Sequence, residues 1–124
     1  MFQVTTMDRL RCQLGDRGDD LVNELIALYL VQGRELVGQI EAAGEALDVV
    51  ELKAAAHKLK GSTATLGGDR LAAFCQEILG APPVELDVDR ATQDVRREFE
   101  QLTAELVRYR SSLTGNPAAQ KPSE

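Results

Sequence analysis

An all-α fold, an antiparallel up-and-down four-helix bundle with a short extra N-terminal helix, is what this sequence predicts, and three observations carry the prediction. Leu, Ala, Glu, Gln and Arg dominate, all good helix formers, while alternating β-branched runs are missing. Four segments repeat their apolar residues at helical spacing and are joined by short connections. The length, 124 residues, suits one domain whose core needs neither metal nor disulfide.

The short first helix fits Thr6 to Leu14, with Thr5 or Thr6 able to cap it, ahead of the GDRGDD turn at Gly15 to Asp20. The second runs from Asp19 or Asp20 to Ala43 with Leu25, Tyr29, Leu36 and Ile40 as its stripe, and Gly44 is expected to end it. The third, Glu45 to Leu66, aligns Leu52, Ala56, Leu59, Thr63 and Leu66, and Gly67 is placed to close it. The fourth, Asp69 to Leu79, puts Leu71, Phe74, Cys75 and Ile78 on one face before Pro82-Pro83 forbids continuation. The fifth extends from a cap at Asp87 or Asp89 to Leu113. Its stripe is Val95, Phe99, Leu102, Leu106 and Leu113, with Asp94/Arg97 and Arg96/Glu100 pairs on the wet side. The bundle is therefore read as residues 1–113. The remaining TGNPAAQKPSE, residues 114–124, has two prolines and no periodicity, and is read as a disordered tail.

Composition narrows the function. No apolar run reaches the eighteen or so residues of a membrane span. A net charge of −6 repels a phosphate backbone, and aromatic residues for base stacking are scarce, so no nucleic-acid partner is expected. Cys12 and Cys75 are far apart and no apolar signal segment follows Met1, which points to a cytoplasmic protein without disulfides. Met1 and the polar carboxyl end favour a free-standing protein over a segment of a larger kinase.

The stretch HKLKGSTATLGG at residues 57–68 contains the one histidine and a glycine inside the third helix. Such a glycine costs roughly 1 kcal/mol relative to alanine. With Leu52 at zero and about 100° per residue, the core stripe stays within about 40°, whereas His57 falls near about 140° and Gly61 near about 180°. The imidazole should face water, with only Ala54, Gly61 and Ala64 around it, so a large partner can approach closely. The charged residues between Leu52 and Gly68 are Lys53, Lys58 and Lys60 alone, a positive island in an acidic protein. Lys60, three residues beyond His57, is near enough for its ammonium to reach an anion bonded to the ring, and phosphate is the candidate anion.

A lone histidine is commonly structural, but a core histidine would lie near the Leu52/Leu59 stripe with a buried partner. Metal binding lacks ligands: the Glu-x-x-His spacing fails because residue 54 is alanine. A serine hydrolase is excluded by the absence of a flanking carboxylate and by Ser62 lying on another face. An exposed neutral imidazole is a competent nucleophile toward an activated phosphoryl group.

On these residues, AAHKLKGSTATLGGDRLAAFCQEIL resembles the histidine-containing phosphotransfer (HPt) domain, whose signature centres on His-x-Leu-Lys-Gly-Ser. The resemblance covers roughly residues 8 to 112. It implies a phosphoryl carrier of two-component phosphorelays in which His57 is phosphorylated, Lys60 stabilises the phosphoryl group, Gly61 leaves room for the partner and Gly67 shapes the following turn. Ser62 orients the histidine region in some members. Thr63, Gly68 and Ile78-Leu79 depart from the usual residues, which bears on packing and partner choice. The resemblance implies response-regulator receiver domains, or a hybrid sensor histidine kinase, as partners; these supply the Mg²⁺, and the protein itself binds no cofactor and has no autokinase activity, having no glycine-rich nucleotide loop.

Receiver docking is expected on apolar surface beside His57, with Leu28, Val31, Gln32, Ala54 and Ala64 as candidates. Leu28 and Val31 lie off the core stripe of the second helix, either as partner contacts or as packing for the first helix. Two other readings keep the bundle. One is a helical adaptor that binds without phosphate. The other is the phosphoacceptor hairpin of a sensor kinase, in which an acidic residue usually follows the histidine, where this chain has Lys58. A bundle completed within one chain is expected to be monomeric.

Overall fold

The apolar stripes become five α-helices in a computed structural model that describes residues 4–113. They are α1 (Val4–Leu14), α2 (Gly18–Glu45), α3 (Val49–Thr65), α4 (Asp69–Gly80) and α5 (Val88–Ser111), with one-turn 3₁₀ segments at Gly15–Arg17 and Pro83–Glu85. The tail expected at residues 114–124 lies outside the described residues. Helix α3 packs between α2 and α4, and α5 closes the ring against α2 and α4. Neighbours run antiparallel: Tyr29 meets Thr63, Lys60 meets Gln76, and Arg110 at the end of α5 meets Asn23 near the start of α2. Helix α1 adds the fully buried Met7 at the end where α5 finishes, held there by Tyr109 donating to Asp8 (2.8 Å) and Arg11 to Asp19 (2.7 Å).

The expected stripe of α3 is buried, Leu52, Ala56, Leu59, Thr63 and Leu66 alike. In α2, Tyr29 and Ile40 are buried as expected, but Val22, Ile26 and Val37 do most of the packing and Leu25 and Leu36 are half-buried. Phe74 of α4 is likewise only half-buried. The caps are local. Asp48 accepts from the Glu51 amide (3.1 Å) and Asp87 from the Arg90 amide (3.2 Å), each satisfying one orphan donor of a first turn. The paired charges of α5 form at Arg97–Asp94 (2.9 Å) and Arg96–Glu100 (3.3 Å).

Gly44 corrects an expectation. It does not end α2, which continues to Glu45; it is buried against α5, where a Cβ would stand 2.8 Å from the Thr92 methyl. A small residue here marks a close helix approach, a demand made by α5 that the local sequence does not display. Both α2 and α3 end in Schellman motifs, in which two amides return to carbonyls of the last turn. After α3 the Gly68 amide bonds the Thr63 carbonyl (3.0 Å) and the Gly67 amide that of Ala64 (3.1 Å), with Gly67 at φ 86°. After α2 the same pattern joins Asp48 to Ala43 (2.9 Å) and Leu47 to Gly44 (3.1 Å), but the left-handed residue is Leu47, at φ 55°.

That conformation costs a non-glycine residue about 1–2 kcal/mol, partly offset by the greater unfolded-state freedom of glycine. Leu47→Gly is therefore expected to stabilise the protein by about 0.5–1 kcal/mol, read as a higher urea midpoint at constant slope. Burial also sets an alkaline limit. It pushes the Cys75 thiol from its ordinary 9.0 up to about 12, against a smaller downward pull from the Lys60 ammonium. The Tyr29 hydroxyl is raised for the same first reason. The native state thus keeps protons that the unfolded chain releases, so this stability is intact below pH 9.0 and is lost progressively above it. Thermal melts should be level to about pH 9 and fall steeply beyond.

Candidate functional site

His57 lies midway along α3, exposed, as the helical phase requires once Leu52, Leu59 and Leu66 are buried. Its ring has no hydrogen-bond or ion-pair partner among the described residues. Ala54, Gly61 and Ala64 around it are exposed, and a Cβ added at Gly61 would meet nothing within 4 Å. Clearance at position 61 is therefore not a packing need of the bundle.

The three lysines divide. Lys53 and Lys60 are two turns apart, about 20° from alignment, and both reach to α4. Lys60 donates to the side-chain oxygen of Gln76 (2.5 Å), and Lys53 to the carbonyls of Ala81 (2.6 Å) and Leu79 (3.4 Å) at the end of α4. Lys58 is exposed and its ammonium has no partner among the described residues. Every acceptor is neutral, so among the described residues none of the three cations is cancelled by a carboxylate, whereas Arg70 of α4 and Arg97 of α5 are paired with buried Glu98 (3.0 and 3.7 Å). Because α-helical side chains lean toward the helix N-terminus, Lys60 leans toward the level of His57. It keeps two unused N–H donors for an anion there.

Gln76 is the residue that sequence reasoning missed. Nothing in its local pattern sets it apart; only the antiparallel return of α4 brings it to Lys60. The Lys60 charge is also felt at buried Cys75, the residue before it. Ser62 stands differently from what the resemblance implies: its hydroxyl donates to the Lys58 and Leu59 carbonyls (both 3.3 Å), and five residues along the helix turn it about 140° from His57.

On the opposite flank of α3, Leu28 and Gln32 join Leu25, Tyr29, Ser62, Thr65 and Leu66 around a shallow groove of about 180 Å³. Leu28 is 54% and Val31 62% exposed, so neither is consumed by packing against α1. Around α3, Gly61 lies between this groove and the ring of His57. Among the described residues no three His, Cys, Asp or Glu side chains gather to hold a metal ion, and no helix is long and apolar enough to cross a membrane.

Comparison with known proteins follows this geometry. A family model described as Hpt domain matches residues 24–111, from the first third of α2 to the end of α5. No curated protein matches the chain by sequence. Among solved structures, the crystal structure of histidine-containing phosphotransfer protein B (HptB) from Pseudomonas aeruginosa PAO1 aligns with a TM-score of 0.73 at 23% sequence identity, over 83% of this chain and 91% of that one. That likeness is one of fold.

Since position 61 is exposed and unobstructed, Gly61→Gln should extend good helix former through the site. The variant is expected to be more stable than the parent by about 0.5–1 kcal/mol in urea unfolding, with unchanged helix content by circular dichroism. Loss of stability would mean that the glycine serves the fold.

Proposed function

Because this chain belongs to the Hpt domain family and is a histidine phosphotransfer protein of phosphorelays, we propose that His57 is its phosphoacceptor. In this reading the protein takes the group from an aspartyl phosphate of one response-regulator receiver domain and yields it to the aspartate of another. An imidazole nitrogen attacks phosphorus in line, the P–N bond forms as the P–O bond to the aspartyl carboxylate breaks, and the second ring nitrogen keeps its proton. The observation that carries the proposal is the exposed, unpartnered ring of His57 beside the uncancelled charge of Lys60.

Positioning and charge neutralisation account for most of such a transfer. Lys60 offsets charge on the phosphoryl oxygens, held in place by Gln76. Gly61 lets the receiver cross α3, and Leu28, Val31, Gln32, Ala54 and Ala64 form its footing. Ser62 contributes by closing its own helical turn. The receiver brings Mg²⁺ and the remaining charges, and the protein, lacking a nucleotide-binding loop in its sequence, takes its phosphate from a receiver or hybrid sensor histidine kinase and not from ATP. It acts as a monomer in the cytoplasm, since its four long helices bury their stripes on one another. A kinase hairpin needs a second copy to do so.

Incubation with a phosphorylated receiver is expected to place acid-labile, alkali-stable phosphate on the protein. His57→Gln should abolish the label, and Lys60→Ala should slow its appearance about 10- to 100-fold, the worth of one charge-assisted hydrogen bond. Gly61→Gln, although folded, should slow it about as much. Wild-type protein left unlabelled by a panel of receivers would instead favour the adaptor reading.

A further inference from the structure

Seven large apolar side chains are exposed among the described residues, and the three most exposed, Leu47 (72%), Val50 (83%) and Val84 (93%), lie at one end of the bundle. Leu47 is in the α2–α3 connection, Val50 in the first turn of α3 and Val84 in the 3₁₀ turn between α4 and α5. Two contacts hold these connections together. Lys53 bonds the Ala81 carbonyl (2.6 Å), and Gly44 lies against Val88 and Thr92. The end is about 12 Å of helix rise from His57.

Exposed apolar side chains are ordinary when scattered, but these share one end of the bundle and stand on held backbone. Leu47 is kept at φ 55°, where glycine or asparagine would fit at less cost, and the neighbouring Schellman bonds fix it there. Val84 follows the Pro82-Pro83 pair, whose rings restrict the backbone. Such a surface is preorganised, so binding it loses little entropy.

The charge around it selects the occupant. Glu45, Asp48, Glu51, Glu85, Asp87 and Asp89 are all exposed at this end, and none has an ion-pair partner among the described residues. The one lysine there, Lys53, is turned onto backbone carbonyls. A second copy would set carboxylates against carboxylates across a two-fold contact, and nucleic acid or an anionic membrane would be repelled likewise. We propose that this end, centred on Leu47 and Val84, is a second docking surface for a protein segment with an apolar centre ringed by Lys or Arg, such as one face of a basic amphipathic helix. Val50, seven residues before His57 and about 20° from it around α3, borders the phosphoacceptor face, whereas Leu47 and Val84 lie on the connections beyond it, so a segment held by those two tethers the carrier by one end while a receiver engages the ring.

The probe is a synthetic amphipathic helix of leucine and lysine, titrated into the ¹⁵N-labelled full chain, with a lysine peptide of equal charge and no leucine as its control. Amide shifts should concentrate at residues 44–51 and 81–90 and spare 57–64. The combined Leu47→Asn and Val84→Ser variant should bind about tenfold or more weakly while melting no lower than the parent and keeping its labelling at His57. Equal binding of the control peptide, undiminished binding by the variant, or shifts spread evenly over the acidic surface would overturn the proposal. So would a concentration-dependent mass in light scattering that the same variant removes, since the occupant would then be a second copy. Labelling at His57 reports separately on the phosphoacceptor reading.

Discussion

The rotational phase of α3 governs this molecule. Leu52, Leu59 and Leu66 are buried on one side, and between them Thr63 shares a buried hydrogen bond with Tyr29 of α2 (2.6 Å). Turning α3 by one residue's step, about 100°, would drag leucines into water and leave the Tyr29 hydroxyl unpaired in the core. Each lost leucine is worth about 2–5 kcal/mol and the orphaned hydroxyl about 1–3 kcal/mol. One orientation survives, and in it His57 faces outward.

Phase alone does not fix where α3 stops or what it faces, and the Schellman closure at Gly67 does both. Gly68 leads directly into α4 with no room for a side chain, since a Cβ there would stand 2.7 Å from the Thr63 methyl and 2.8 Å from Leu102. An alanine at this position would need those neighbours to shift. The tight reversal sends α4 back along the lysine flank of α3, so Gln76 arrives at Lys60 and the last carbonyls of α4 arrive at Lys53. Neutral acceptors steady the two ammonium groups without discharging them. The contrast with Glu98, a buried carboxylate between Arg70 and Arg97, is chemical: one arrangement joins helices, the other conserves positive potential beside His57.

These constraints separate the tasks of the bundle in space. The middle of α3 presents a ring with cations on one flank and an apolar groove on the other, joined across the bare backbone of Gly61. The end formed by the two connections presents apolar residues within an acidic rim. Discrimination among partners in a carrier of this size falls to its surface, and the two regions differ in charge.

Much of this was legible in the amino-acid sequence. A repeat of about 100° per residue is a local property, and it determined which residues of α3 are buried, that His57 is exposed among Ala54, Gly61 and Ala64, and that Asp94/Arg97 and Arg96/Glu100 pair on α5. The Asp87 cap and the Gly67 closure are local for the same reason: their partners lie within five residues. Tertiary structure alone decided the rest. Gly44 reads as a helix stop until α5 is seen lying against it, and Leu47 takes the left-handed position that glycine was expected to hold nearby. Ser62 has the right neighbours in sequence but turns to its own helix. The exposure of Leu28 and Val31 depended on where α1 packs, and the partners of Lys53 and Lys60 come from 28 and 16 residues away. Helical periodicity is written into adjacent residues, whereas a side chain's acceptor is set by which segment the fold brings alongside, and no local pattern encodes that.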